Sequence, residues 1–241
     1  MLLRLVALHG TNLGCPQEAV VYVHGVWTAR DIDDEVKESM FENAIESFDR
    51  ARLSLESLGY AFPVIGFSWD SDTSLSQSGW QSAKLIAIEN GPKLAQFIVD
   101  FKERCPQTVV RIIAHSLGAR AVLGSLDSLN TNQVWNNNNF QIASVHLMGA
   151  AVDDDEVSKD ASDVISLDGI ESAYGKVIEE EVSEFYNLVN HQDDALEPGF
   201  VNPWPWLAPH YTIWNPFEIQ PAILRTKFGY WSQWYRIKHF R

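Results

Sequence analysis

The stretch Val109-Val110-Arg111-Ile112-Ile113-Ala114-His115-Ser116-Leu117-Gly118-Ala119-Arg120 decides how the rest of the chain is read. Residues 109–113 form a short run rich in β-branched side chains, the pattern of a strand buried inside a sheet. Residues 116–129 open a helix, with Val122, Leu123, Leu126 and Leu129 at its apolar positions. Between them small residues, Ala114 and Gly118, stand two positions either side of Ser116. A strand that turns directly into a helix presses neighbouring backbone together, so bulk is excluded at those two positions and the serine side chain is pushed clear of the sheet. Ala114 departs from the glycine more usual at the first of them. A serine that merely caps a helix is the plain alternative, and the strand and helix on either side weigh against it.

The same alternation spreads outward. Residues 19–23 (Ala-Val-Val-Tyr-Val) read as a central strand closed by His24-Gly25. Residues 33–58 place Val36, Met40, Ala44, Ile45, Phe48, Leu55 and Leu58 on one helical stripe ended by Gly59. Residues 63–67 repeat the strand pattern, and residues 80–103 read as a helix that Pro92 is expected to kink or divide. Further strands are expected at 142–148 and 184–189. Strands alternating with helices imply an α/β fold, with a mostly parallel sheet covered by helices on both faces.

With 241 residues, 46% of them apolar, one domain spanning 1–241 is the expectation. Residues 150–183 are acidic and weakly patterned, a cap or a surface excursion. From residue 201 onward the composition shifts to an aromatic, basic tail holding five of the nine tryptophans, with five Lys/Arg against one acid. The net charge of −14 argues against nucleic acid as a partner. Acidic runs at 31–35, 153–156 and 179–181 fit either adaptation to high salt or ordinary solvated faces. No apolar stretch approaches the ~20 residues needed to cross a bilayer, and peripheral lipid contact through the tryptophans of the tail stays open. Cys15 and Cys105 fit neither a metal spacing nor a disulfide framework, so two free thiols are expected. The N-terminal run lacks the features of a secretion signal, so a cytoplasmic location is expected.

Val23-His24-Gly25 after one strand, Gly66-Phe67-Ser68-Trp69 after the next, Ala114-His115-Ser116-Leu117-Gly118-Ala119-Arg120, Leu147-Met148-Gly149-Ala150-Ala151-Val152-Asp153-Asp154 and Asn190-His191-Gln192-Asp193-Asp194-Ala195-Leu196 together resemble the α/β-hydrolase superfamily. The likeness is to its short esterase- or lipase-like members and covers about residues 19–200. It implies a reduced α/β-hydrolase fold and a serine hydrolase acting on a carboxylic ester or related acyl bond, with a triad in the order Ser, acid, His.

Ser116 is then the nucleophile. The resemblance points to Asp193 as the acid, in the loop after the strand at 184–189, with adjacent Asp194 and the earlier Asp153 as alternatives. The base must follow the acid, which leaves His239 and His210; His191 lies too close to the acid. Residues 231–238 read as a final strand from whose carboxyl end His239 would emerge, and His210 is the alternative base in a loop. Two backbone N–H groups must meet the oxyanion, and Leu117 after the serine and Val26 after His-Gly are the natural donors. His24 braces that loop, while His115 fills the variable position of the turn and His146 lies inside a strand. No cofactor and no metal is implied. A non-catalytic protein of the same fold, with an incomplete triad and an interaction role, is the alternative reading.

Overall fold

The structure is a computed structural model that describes residues 5–7, 14–26, 28, 44–74, 76–164, 172–189, 219–220 and 235–237, with the backbone alone at 5–7, 154, 163, 189, 219–220 and 235–237. Asp193, Asp194, His191, His210 and His239 lie outside the described residues, as does most of the aromatic tail.

The strands are β1 (Leu5–Ala7), β2 (Glu18–Val23), β3 (Val64–Phe67), β4 (Val109–His115), β5 (Ile142–Met148), β6 (Val182–Val189), β7 (Ile219–Gln220) and β8 (Tyr235–Ile237). They form one sheet in the order β1-β3-β2-β4-β5-β6-β8-β7. The run from β3 through β2, β4 and β5 to β6 is parallel, while β1 is antiparallel to β3 and β8 to both β6 and β7. The helices are α1 (Ala44–Ser57), α2 (Gln77–Arg104), α3 (Gly118–Asn130), the short α4 (Gln133–Asn137) and α5 (Gly175–Glu181).

Period-2 alternation divides the sheet into two faces. Ala19, Val21, Val23, Val110, Ile112, Ala114, Val145 and Leu147 pack with Trp80, Ala83, Ala87 and Leu94 of α2 and Leu123 and Leu126 of α3 in the larger core. Val20, Tyr22 and Val64 face the other way, onto Ala44 and Phe48 of α1. Phe48 lies over Gly66, where a Cβ would come within 2.5 Å of its ring. Among the described residues of the segment 150–183, Val157, Tyr174 and Ile178 join the larger core.

From β2 the chain crosses to β3 on one side, then passes over β2 to β4 on the other. The strand order reverses between β2 and β4, where Val23 is in register with Ala114. A crevice at the carboxyl ends of two such strands is where open α/β sheets bind ligands.

Two expectations are corrected. Pro92 does not divide the helix: α2 is continuous from Gln77 to Arg104 with the proline inside it. Proline costs an interior helix ~3 kcal/mol, but Trp80, Ala83, Ala87, Leu94 and Ile98 are buried along its length, and the Asn90 side chain donates to the Ile86 carbonyl at 2.7 Å in the turn before the proline. Secondly, Cys15 and Cys105 are not free thiols but a disulfide, with Cα atoms 5.2 Å apart. The two lie 90 residues apart in sequence, yet Glu18 pairs with Val109, so both cysteines sit just before neighbouring parallel strands. Reduction, or Cys105→Ser, is expected to lower the unfolding free energy by about 2–5 kcal/mol. An unchanged urea midpoint in dithiothreitol would contradict that role.

Candidate active site

The backbone at Ser116 carries the clearest local signal. Its φ is 51°, and among the described non-glycine residues only Asn139 shares a positive φ. A non-glycine residue in the left-handed region costs about 1–3 kcal/mol, so the surroundings must hold it there. They do: the Ser116 N–H donates to the Met148 carbonyl at 3.0 Å, and the Ser116 carbonyl accepts from Ala119 and Ala151 N–H groups, each at 3.1 Å. Glycine would adopt this turn freely, so a side chain is kept here at an energetic cost.

The crowding that the small residues anticipate is present. A Cβ on Gly118 would lie 2.4 Å from the His24 carbonyl oxygen, and one on Gly25 would lie 2.9 Å from the Ser116 Cβ. Ala114 is fully buried, which leaves room for a methyl and little more. The His24-Gly25-Val26 loop therefore lies directly against the serine turn. Leu117 has a buried side chain and immediately precedes α3, and among the described residues neither its N–H nor that of Val26 donates to a backbone carbonyl. Gly25, which precedes Val26, is thus set against Ser116 at the β2–β4 edge, with Ser116 and Val26 only half-buried.

A second layer holds this arrangement, and sequence reasoning missed most of it. Arg120, one turn into α3, has both terminal nitrogens on Glu156, at 2.9 and 2.8 Å. Its Nε donates to the Ala151 carbonyl at 3.2 Å. Ala151 is thereby strapped between Ser116 and Arg120. Asp153, the early alternative acid, stands 3.6 Å from the same guanidinium, and its N–H donates to Glu156 at 3.0 Å in a capping box. Its immediate partners are those of a structural ion cluster.

On the other side, the loop after β3 grips the loop after β2. Trp69 stacks on His24 with ring centroids 5.6 Å apart, and its Nε1–H donates to the His24 carbonyl at 2.9 Å. The Thr28 N–H donates to buried Ser71 at 3.2 Å. Burial pushes the His24 imidazole down to about 4, against the opposing pull of the Gly25 carbonyl and with a small further push from His115, itself lowered to about 4 by burial. The unfolded chain takes up a proton on His24 near pH 6.5, whereas the folded chain resists until about pH 4. Stability is complete above 6.5 and falls across that window, by about 3 kcal/mol from this group alone. Urea titrations at pH 7 and pH 4 should show a steeper loss in the native chain than in His24→Asn; equal losses would contradict the assignment.

Strand β8 is antiparallel to β6, with Tyr235 opposite Val189 and Ile237 opposite Asn187. His239 follows two residues after the end of β8, outside the described residues.

The family model for the alpha/beta hydrolase of unknown function DUF900 matches residues 19–199. The chain belongs to the DUF900 family of α/β hydrolases. That match runs from the start of β2 past the end of β6, so it spans the whole parallel sheet and every element that builds the Ser116 turn in this DUF900 protein. No curated protein matches the sequence. Among solved structures, a cutinase-like protein from Cryptococcus sp. is similar over 71% of this chain and 76% of that one, at 14% identity and a TM-score of 0.38, a likeness too slight to carry argument. No helix among the described residues is long and apolar enough to cross a membrane.

Proposed function

We propose that this DUF900 protein is a serine hydrolase that cleaves a carboxylic ester or related acyl bond through an acyl-enzyme. The reading rests on one observation: a serine with φ 51° at the reversal point of the sheet, pressed against a His-Gly loop. In this mechanism the Ser116 hydroxyl attacks the acyl carbonyl while a histidine takes its proton, and the Val26 and Leu117 N–H groups meet the oxyanion. Collapse of the tetrahedral adduct expels the alcohol, protonated by the same histidine, and water then releases the acid. Asp193, four residues beyond the end of β6, orients the base. His239, two residues after β8, serves as the base, with His210 as the alternative.

Turnover of short p-nitrophenyl esters that vanishes in Ser116→Ala, and falls at least 10³-fold in one of His210→Ala and His239→Ala, is the expected result. Turnover unaltered in Ser116→Ala would remove the proposal. The alternative of a non-catalytic protein of this fold predicts no Ser116-dependent turnover. The Cys15–Cys105 disulfide supports folding in an oxidising compartment over the cytoplasmic location expected from sequence.

A further inference from the structure

We infer that His24 is a positioning residue, held as one tautomer by the backbone of Trp69, which fixes the peptide carrying the Val26 N–H over Ser116. The inference rests on the serine-hydrolase reading for its catalytic consequence and on hydrogen-bond chemistry for the rest.

His24 is fully buried. Its Nδ1 lies 2.8 Å from the Gly25 carbonyl oxygen, and its Nε2 lies 3.2 Å from the Trp69 backbone nitrogen. A carbonyl can only accept, so Nδ1 must carry a proton. A backbone N–H can only donate, so Nε2 must not carry one. The two contacts independently select the same neutral form, and burial supports neutrality by holding the ring's pKa at about 4. Ser68 Oγ, 3.4 Å from Nε2, can serve as donor or acceptor and does not alter the choice.

The consequence runs through peptide geometry. The Gly25–Val26 peptide is planar and trans, so its C=O and N–H point in opposite directions. Once Nδ1–H holds the Gly25 carbonyl, the direction of the Val26 N–H is set. The preceding peptide is pinned as well, because Trp69 Nε1–H holds the His24 carbonyl at 2.9 Å. Glycine has the widest conformational freedom of any residue, and both peptides flanking Gly25 are tied to side chains. The loop after β3 thus presets an oxyanion donor on the loop after β2, at no reorganisation cost during reaction.

The test has two arms on the full chain. Long-range ¹H–¹⁵N spectra at neutral pH should show the His24 proton on Nδ1; a proton on Nε2, or a doubly protonated ring, overturns the inference. In the second arm, a fluorophosphonate probe reports the labelling rate of Ser116 in two variants with opposite defects. His24→Asn keeps a donor at the Nδ1 position, and its rate should stay within a few-fold of the native chain. His24→Gln keeps an acceptor towards Trp69 and loses the hold on Gly25, and its rate should fall 10- to 100-fold with the near-ultraviolet circular dichroism unchanged. Equal rates for the two variants overturn the inference. A native chain that the probe does not label defeats the serine-hydrolase reading instead, and the nitrogen spectra then decide the tautomer by themselves.

Discussion

Replacing Glu156 by alanine is expected to destabilise the protein by about 3–5 kcal/mol, the penalty for removing the carboxylate that holds a buried charge and leaving it the more distant Asp153 at 3.6 Å. Arg120 and Glu156 have side chains only 1% and 0% exposed, so water cannot substitute for the lost carboxylate. The effect should reach the serine, because Arg120 also holds the Ala151 carbonyl and Ala151 in turn donates to Ser116. Glu156→Gln, which keeps the hydrogen-bonding shape and loses the charge, should lie between the native chain and Glu156→Ala. The double variant Arg120→Met/Glu156→Leu should recover most of the stability, since a buried pair replaced by apolar groups of similar volume is often neutral. Urea unfolding of the four chains is the measurement. A loss under about 1 kcal/mol in Glu156→Ala would contradict that penalty.

Gly118→Ala should damage the site more than the fold. The new methyl would stand 2.4 Å from the His24 carbonyl oxygen and 2.8 Å from that of Val23, both backbone atoms that cannot swing aside. Overpacking of this kind costs about 1–3 kcal/mol. The atom displaced is the carbonyl that Trp69 Nε1–H grips, so the Val26 donor moves with it. A shift of 1 Å in a catalytic group is worth about 10² in rate, and labelling of Ser116 should slow by that order. Gly124→Ala is the control within the same helix. Its Cβ would meet nothing closer than the Ile88 carbonyl oxygen at 3.5 Å, so helix propensity should stabilise the protein by up to ~1 kcal/mol with the site untouched. Equal labelling rates in the two variants would refute the packing argument.

The contrast between those glycines shows how far sequence carries. The β-branched runs at β2, β4 and β5 are legible because a strand buried on both faces has few compositional solutions; the reading 142–148 coincides with β5. The Ser116 turn was legible because sterics at Ala114 and Gly118 leave a local signature. Helix α1 is described from Ala44, so the earlier part of the 33–58 stripe lies outside the described residues.

What sequence did not disclose depends on which strands become neighbours. Cys15 and Cys105 pair because β2 and β4 are adjacent. Arg120 meets Glu156 because the segment after β5 folds back on α3, and nothing in the acidic run 153–156 marks Glu156 as buried. Trp69 belongs to a stretch that carries the family resemblance, but its contact with His24 depends on the reversal of strand order that sets the two loops together. In the tail, β8 is antiparallel to β6, a direction that no alternation pattern encodes.

Intact-mass analysis after exposure to a fluorophosphonate probe, followed by peptide mapping, asks the serine itself. A single adduct on the peptide containing Ser116, absent from Ser116→Ala, is the predicted result. A native chain that stays unmodified, or one modified to the same extent as Ser116→Ala, would contradict the assignment of this strained serine as a nucleophile.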